Sequence, residues 1–118
     1  MLSHIRCALF DIDGTLVRMR GAGSRAMDRA YEALTGVPDA FRGVPMAGRT
    51  DRAITESAID RLLAAGRDVP QDEAFHRAFA DRYLAELEAE VPRPGPSVCP
   101  GAIATLDLLD SKGVALGL

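Results

Sequence analysis

Two aspartates one residue apart follow a largely apolar run near the start of this 118-residue chain. The run from Ile5 to Phe10 is continuous in apolar character rather than alternating, which predicts a parallel strand buried on both faces. Residues i and i+2 of a strand share a face, so Asp11 and Asp13 are expected to converge beyond its carboxyl end. Gly14 permits a sharp turn there. We therefore expect an α/β fold with acidic groups at the sheet edge where such folds bind ligands.

This carboxylate pair suits a divalent cation. Mg²⁺ is commonly held by one or two carboxylates together with water and substrate phosphate. A structural alternative is that Asp11 and Asp13 only cap the turn by accepting backbone N–H bonds, since Asp and Gly are common turn residues. The pattern favours the first interpretation and predicts a Mg²⁺ site that includes Asp11 and Asp13.

Three helices are predicted in the middle of the chain. Ser24, Thr50 and Pro70 are expected to begin them, and Gly36 and Gly66 to end the first two. Apolar residues at helical spacing give the second and third helices one predicted buried stripe each. These stripes are Ile54, Ala58, Ile59, Leu62 and Leu63, and Phe75, Phe79, Tyr83 and Leu87. This module is too long to be a simple crossover between two strands, so it is predicted to be an insertion.

The end of the chain returns to a strand. Val91 to Pro96 contains three prolines and is predicted to be a stiff linker. Pro100 and Gly101 open a fourth predicted helix that runs through Leu109, and Val114 to Leu118 is a second predicted strand. The predicted order is strand, three helices, linker, helix and strand.

Three segments carry a family resemblance. The Asp-x-Asp-Gly-Thr run that starts at Asp11 resembles the first motif of the haloacid dehalogenase-like hydrolases. Gly48 to Ile54 is similar to the cap-helix entry of their phosphoglycolate phosphatase-like branch. Pro100 to Ala102, with the helix and strand that follow, is similar to the return from cap to core. Together the three segments extend across most of the chain, from Asp11 to Leu118.

The resemblance implies a fold. It is an α/β fold with an incomplete Rossmann-like parallel core, of two strands and one helix, and an inserted α-helical cap. The core comprises residues 1–16 and 95–118, and the cap with its hinge loops comprises residues 17–94. In this family the cap lies above the carboxyl edge of the core sheet.

The resemblance also implies an activity. It is Mg²⁺-dependent hydrolysis of a phosphomonoester, through an aspartyl-phosphate, with a small phosphorylated metabolite as substrate. Asp11 is the implied nucleophile and Asp13 the general acid/base, while the Asp11 carboxylate and the Asp13 carbonyl are implied metal ligands. Gly14, Thr15 and Arg49 are the predicted substrate-binding residues. For Arg49 the alternative is a solvated arginine at a helix start, or one that pairs with Asp51.

Later motifs of the superfamily are not among these residues. Members continue beyond the second strand to a Thr or Ser, a distant Lys and an acidic pair, whereas Leu118 is the last residue here. We therefore expect a part of a longer protein or a truncated product. Two alternative functions stay open: a catalytically incompetent N-terminal fragment, and a sugar phosphomutase, which uses the same Asp pair. The second Asp argues against a dehalogenase.

Composition and charge argue against nucleic acid and membrane as partners. The formal net charge is −3 and the basic residues are scattered among acids, which argues against a nucleic-acid surface. No apolar run reaches the ~18 residues of a membrane span, and no signal peptide is evident. Cys7 and Cys99 do not form a disulfide pattern, so we expect a cytoplasmic protein of undefined oligomeric state. Cys7 is expected to be buried in its strand, and His4 and His76 to be at least partly exposed.

Overall fold

The structure is a computed structural model that describes residues 4–91 and 95–118. It has a mixed α/β fold. Pro92 to Pro94 of the predicted linker lie outside the described residues. The elements follow the predicted order, with two further short strands: β1 (Cys7–Leu9), β2 (Val17–Arg18), α1 (Ala22–Thr35), α2 (Asp51–Ala64), α3 (Glu73–Glu90), β3 (Ser97–Val98), α4 (Ala102–Ser111) and β4 (Ala115–Gly117).

The chain divides into two compact units. One combines Met1–Arg20 with Val91–Leu118, and the other is Gly21–Glu90. This grouping puts residues 17–20 with the strands, whereas the sequence-based division put them with the hinge loops of the cap. The functional assignment of the units as core and cap stays a prediction.

The first unit contains the predicted parallel sheet. Strands β1 and β4 pair in parallel, with α4 preceding β4. Helix α4 begins after Gly101, whose φ of 82° lies in the left-handed region that favours glycine. The register joins Cys7 to Ala115, Ala8 to Leu116 and Leu9 to Gly117. The two strands and one helix of the predicted partial core are therefore present.

A second, antiparallel pair lies in the same unit. Strands β2 and β3 pair through Val17 with Val98 and Arg18 with Ser97. The N–H of Cys99 extends the pairing by donating to the carbonyl of Leu16 at 2.9 Å. Neither strand was predicted from the sequence, which assigned Val17 and Arg18 to a hinge loop and Ser97 and Val98 to the start of the returning core segment. Two-residue strands are too short for a periodic signal.

The prediction that β1 is buried is wrong. In β1, Leu9 is 77% exposed and Cys7 is exposed. Leu118, at the end of the second predicted strand, is 80% exposed. Within the described ranges this unit has a two-stranded parallel sheet and one helix. Parallel strands are normally covered on both faces by several crossover helices, and one helix cannot provide that cover.

The first helix of the second unit begins differently from the prediction. Gly21, at φ 76°, is the N-cap residue of α1, and Ser24 lies inside the first turn. The Ser24 hydroxyl donates to the carbonyl of Gly21 at 3.1 Å instead of capping the helix. The predicted end is confirmed, because Gly36 has φ 74° and its N–H donates to the carbonyl of Glu32.

The starts of α2 and α3 show side-chain caps. Thr50 caps α2 as predicted, since its Oγ1 accepts from the N–H of Ala53 at 3.2 Å. Helix α3 begins at Glu73 rather than at Pro70, because Asp72 Oδ1 accepts from the N–H of Phe75 at 2.8 Å. The carboxylate cap decides the start here, so the prediction for Pro70 is wrong.

An aromatic cluster forms the core of the second unit, where α1 packs against α3. Tyr31 on α1 is fully buried and lies edge-on to Phe41 and Phe75, with ring centroids 5.7 and 5.6 Å apart. Ile54 and Ile59 of the predicted α2 stripe and Phe79 of the α3 stripe join this cluster. The predicted stripes are therefore the buried faces.

His76 differs from the prediction, because it is only 9% exposed. It lies on α3 beside Phe75, with ring centroids 6.1 Å apart. Its position next to the aromatic stripe, rather than its polarity, sets its burial. His4 is exposed as expected.

Across the described ranges, no helix is both long enough and apolar enough to cross a membrane.

Candidate active site

The two aspartates follow immediately on the parallel sheet. The N–H of Phe10 donates to the carbonyl of Gly117 at 2.9 Å, so the pairing of β1 with β4 continues to the residue before Asp11. Asp11 is the first residue beyond this pairing, and Asp13 lies two residues further. Both are exposed. The aspartates thus lie at the carboxyl end of a parallel strand, where open α/β sheets bind ligands.

A tight turn holds the segment that follows. The carbonyl of Ile12 accepts from the N–H groups of Thr15, Leu16 and Val17 at 3.0–3.3 Å. Gly14 has φ 82°, in the left-handed region that favours glycine, and its N–H donates to the carbonyl of Val17 at 2.7 Å. A Cβ at Gly14 would meet no atom within 4 Å. The backbone conformation, and not a close protein neighbour, therefore explains this glycine.

The carboxylate of Asp13 is fixed by the backbone. Its Oδ1 accepts a hydrogen bond of 2.9 Å from the N–H of Met19, directly after β2. This oxygen of Asp13 therefore accepts a backbone N–H bond, as the turn-capping alternative predicts. No hydrogen bond to the Asp11 carboxylate occurs among the residues that the structure describes, so the two aspartates have different environments.

The residues present fit a Mg²⁺ site in part. The Asp11 carboxylate and the Asp13 carbonyl oxygen accept no hydrogen bond from the described residues, and both follow the same strand end. Mg²⁺ needs only one or two carboxylates when water and phosphate complete its shell. Within the described ranges, no group of three or more His, Cys, Asp or Glu side chains is placed to hold a metal. Asp11 and Asp13 would therefore be an incomplete set.

The guanidinium of Arg49 bonds within its own unit. It donates to the carbonyls of Pro45 and Ala53 at 2.9 and 3.0 Å, and to Oγ of Ser57 at 2.7 Å. No ion pair with Asp51 is formed. Arg49 thus ties the loop before α2 to the first turns of that helix. Its predicted contact with substrate stays a prediction.

Comparisons with known proteins find similar phosphatases. No protein-family model matches the chain. The phosphoglycolate phosphatase of Rhodospirillum rubrum is 31% identical over 121 residues, which cover 96% of this chain and 46% of that protein. The phosphoglycolate phosphatase of Shigella boydii is 31% identical over a gapped alignment of 139 positions. That alignment covers 97% of this chain and 50% of that protein. The chain is thus similar to proteins named phosphoglycolate phosphatase over nearly its whole length, and it spans about half of theirs.

A solved structure supports the fold. The crystal structure of a predicted phosphoglycolate phosphatase from Haemophilus somnus has a TM-score of 0.60 and 17% sequence identity. The match covers 98% of this chain and 51% of that chain. The chain therefore spans about half the length of the relatives that it matches, and the partial Rossmann-like core with a helical insertion is the shared fold.

The contacts of two predicted site residues, Asp13 and Arg49, were not foreseen from the sequence. The bond from Met19 to Asp13 depends on the pairing of β2 with β3, which brings residue 19 back to the turn. The acceptors of Arg49 depend on how the loop before α2 folds. Neither has a residue-type signature, although the short spacing from Arg49 to Ser57 suits two turns of one helix.

Proposed function

We propose that this chain provides the nucleophile-bearing part of a Mg²⁺-dependent phosphomonoester hydrolase. The observation that carries the proposal is the placement of Asp11 and Asp13 directly after a parallel strand, in the Asp-x-Asp-Gly-Thr order. Asp13 is held by a backbone N–H, whereas the Asp11 carboxylate accepts no hydrogen bond among the described residues. Similarity to proteins named phosphoglycolate phosphatase supports this reaction class.

The two aspartates have separate roles in this proposal. The Asp11 carboxylate attacks phosphorus and forms an aspartyl-phosphate as the ester oxygen leaves. Asp13 donates a proton to that leaving oxygen, and afterwards takes a proton from the water that hydrolyses the intermediate. The bond from Met19 to Oδ1 fixes the orientation of Asp13 and leaves its second oxygen for proton transfer.

A bound Mg²⁺ would offset the repulsion between these carboxylates and the phosphate. Asp11, through a carboxylate oxygen, and Asp13, through its carbonyl, are the residues of this chain that would hold it. The remaining ligands would be water, phosphate and an acidic residue outside these 118 residues.

The proposed substrate is a small phosphorylated metabolite. Gly14, which has no side chain, would let the phosphoryl group approach the turn, and the hydroxyl of Thr15 would donate a hydrogen bond to it. Arg49 would bind the part of the substrate that does not react. We assign Gly21–Glu90 to the cap and the strand-bearing unit to the core. Cys7 and Cys99 are free, which fits the reducing cytoplasm that we propose as the location.

Replacement of the nucleophile tests the proposal. In a polypeptide that carries these residues together with the remaining motifs of the family, Asp11→Asn should abolish hydrolysis of p-nitrophenyl phosphate with Mg²⁺. It should also abolish acid-stable labelling of the protein by radioactive phosphate ester. Asp107→Asn is the matched control, because Asp107 is an exposed aspartate on α4 away from the strand ends. Retained turnover or labelling in Asp11→Asn would show that another group attacks phosphorus.

A further inference from the structure

Val17 connects the aspartate turn to strand β2. Its N–H donates to the carbonyl of Ile12 at 3.2 Å, and its carbonyl accepts from the N–H of Gly14 at 2.7 Å. Asp13 lies between these two partners in sequence and forms an isolated bridge with Val17. One residue of β2 therefore holds the backbone on both sides of Asp13.

The carboxylate of Asp13 depends on the same strand. Met19 follows β2 directly, and its N–H donates to Oδ1 of Asp13 at 2.9 Å. Asp13 is exposed, so this hydrogen bond replaces one to water and contributes little unless its donor is already held in place. The orientation of the carboxylate therefore depends on how firmly β2 is held.

Strand β3 is the partner that holds β2. Val98 pairs with Val17, and next to them the N–H of Cys99 donates to the carbonyl of Leu16 at 2.9 Å. Hydrogen-bonded and non-hydrogen-bonded pairs alternate along an antiparallel ladder, so Val17 and Val98 are the pair whose side chains approach most closely. Contact between two β-branched side chains stabilises such a pair.

We infer that Val98 is a positioning residue for the proposed proton donor, acting through β2 on Asp13. This inference rests on the proposed function. As the bond from Asp11 to phosphorus forms and the bond from phosphorus to the ester oxygen breaks, Asp13 gives its proton to that oxygen. When β2 is loosened, Asp13 is misdirected and transfers its proton less well, whereas the attack by Asp11 is unaffected.

A loss of proton donation depends on the leaving group. Phenolate is a strong base and leaves with the help of a proton, whereas p-nitrophenolate is a much weaker base and leaves without one. The value of kcat/KM covers the steps up to the departure of this group. It therefore excludes the later hydrolysis of the aspartyl-phosphate, in which Asp13 acts on water with every substrate. The ratio of kcat/KM for phenyl phosphate to that for p-nitrophenyl phosphate thus measures proton donation.

The experiment uses the same complete polypeptide as the test of Asp11→Asn. Val98→Gly should lower this ratio at least about threefold, a small part of the about 10²–10⁴-fold effect of a general acid/base. Val98→Thr keeps the β-branched shape and should restore the ratio of the parent. Val98→Ala is a milder change for which an intermediate ratio is expected. Hydrogen exchange of the Met19 amide should be faster in Val98→Gly than in the parent.

Leu108→Gly is the matched control. Leu108 on α4 is 52% exposed against 53% for Val98, so both variants remove a half-exposed apolar side chain from a regular element. Leu108→Gly should leave the ratio of the two substrates unchanged. A lowered ratio in this control, equal to that in Val98→Gly, would overturn the inference.

Asp13→Asn separates this inference from the proposed function. If Asp13→Asn does not lower the ratio, Asp13 is not the proton donor, and the role of Val98 falls with it. If Asp13→Asn lowers the ratio and Val98→Gly does not, only the role of Val98 is overturned. An unchanged exchange rate of the Met19 amide in Val98→Gly would also overturn that role alone.

Discussion

The N–H of Met19 donates a hydrogen bond of 2.9 Å to Oδ1 of Asp13, six residues earlier in the chain. Met19 follows β2, which pairs with β3, so the position of this donor depends on a segment some 80 residues away in sequence. The proposed acid/base carboxylate is thereby oriented by the ribbon as well as by its own turn.

Asp13→Asn should lower turnover by about 10²–10⁴-fold, the usual range for loss of a general acid/base. The amide oxygen of Asn keeps an acceptor for the N–H of Met19, so the turn should survive. The measurement is hydrolysis of p-nitrophenyl phosphate with Mg²⁺, in the same complete polypeptide as for Asp11. A loss below tenfold would leave Asp13 as a turn residue only.

Arg49→Ala should lower the free energy of unfolding by about 1–2 kcal/mol, because it removes three hydrogen bonds of an exposed guanidinium. Urea denaturation followed by circular dichroism measures this change. Arg67→Ala is the control, since Arg67 is an exposed arginine of the same unit for which the described contacts include no side-chain bond. Equal stability of the two variants would contradict the structural role of Arg49.

The predicted substrate contact of Arg49 needs a kinetic test. If its guanidinium binds the unreactive part of an anionic substrate, Arg49→Ala should raise KM for that substrate and change it little for p-nitrophenyl phosphate. An equal change for both substrates would assign the effect to the fold of the cap alone.

Thr50→Ala should cost about 1 kcal/mol of stability, because the N–H of Ala53 at the start of α2 loses its side-chain acceptor. Thr50→Ser keeps the oxygen and should stay within a few tenths of a kcal/mol of the parent. Denaturant midpoints at a constant m-value give the comparison. A matching loss in both variants would point to the threonine methyl group instead of the cap.

Tyr31→Phe should stabilise the protein by about 1 kcal/mol. The Tyr31 hydroxyl is buried with no hydrogen-bond partner among the described residues, and a buried unpaired hydroxyl costs free energy that phenylalanine avoids. Thermal unfolding of the two proteins tests this, and a lower Tm for Tyr31→Phe would reveal a partner for the hydroxyl.

The same residue predicts a pH dependence. Burial raises the pKa of Tyr31 above its usual value of 10.0, so the folded state keeps the phenolic proton after the unfolded state has released it. Its contribution to stability is thus fully present below about pH 10 and is lost as the pH rises above that value. Tyr31→Phe should flatten the fall in stability above about pH 10, and an unchanged slope would contradict this prediction.

A polypeptide of these 118 residues alone should show no Mg²⁺-dependent phosphatase activity above that of its own Asp11→Asn variant. It carries the proposed nucleophile and acid/base, but not the hydroxyl, lysine and acidic groups that hold the phosphoryl oxygens and the metal in this family. Phosphoryl transfer depends mainly on positioning and charge stabilisation. Activity that depends on Asp11 would mean that a second subunit supplies those groups.

Several features followed from sequence because they depend on neighbouring residues. Thr50 caps α2 and Gly36 ends α1 as predicted, since a cap needs only a side chain or a positive φ within one turn. The position of Asp11 at the end of a parallel strand could be predicted because the apolar run before it and the turn at Gly14 are both local signals. Local competition also explains the errors at Ser24 and Pro70, where Gly21 and Asp72 are the residues that cap the helices.

The sequence by itself determined the order of the main elements, the acidic strand end and the buried helix stripes, because period and turn chemistry are properties of short segments. Only the tertiary structure decided that Met19 orients Asp13, that Arg49 bonds to Pro45 and Ser57, and that His76 is buried. It also decided that Leu9 is exposed, which contradicts its apolar pattern. These outcomes depend on which segments meet in space, and residue type alone does not encode the partner across a turn, a ribbon or a helix interface.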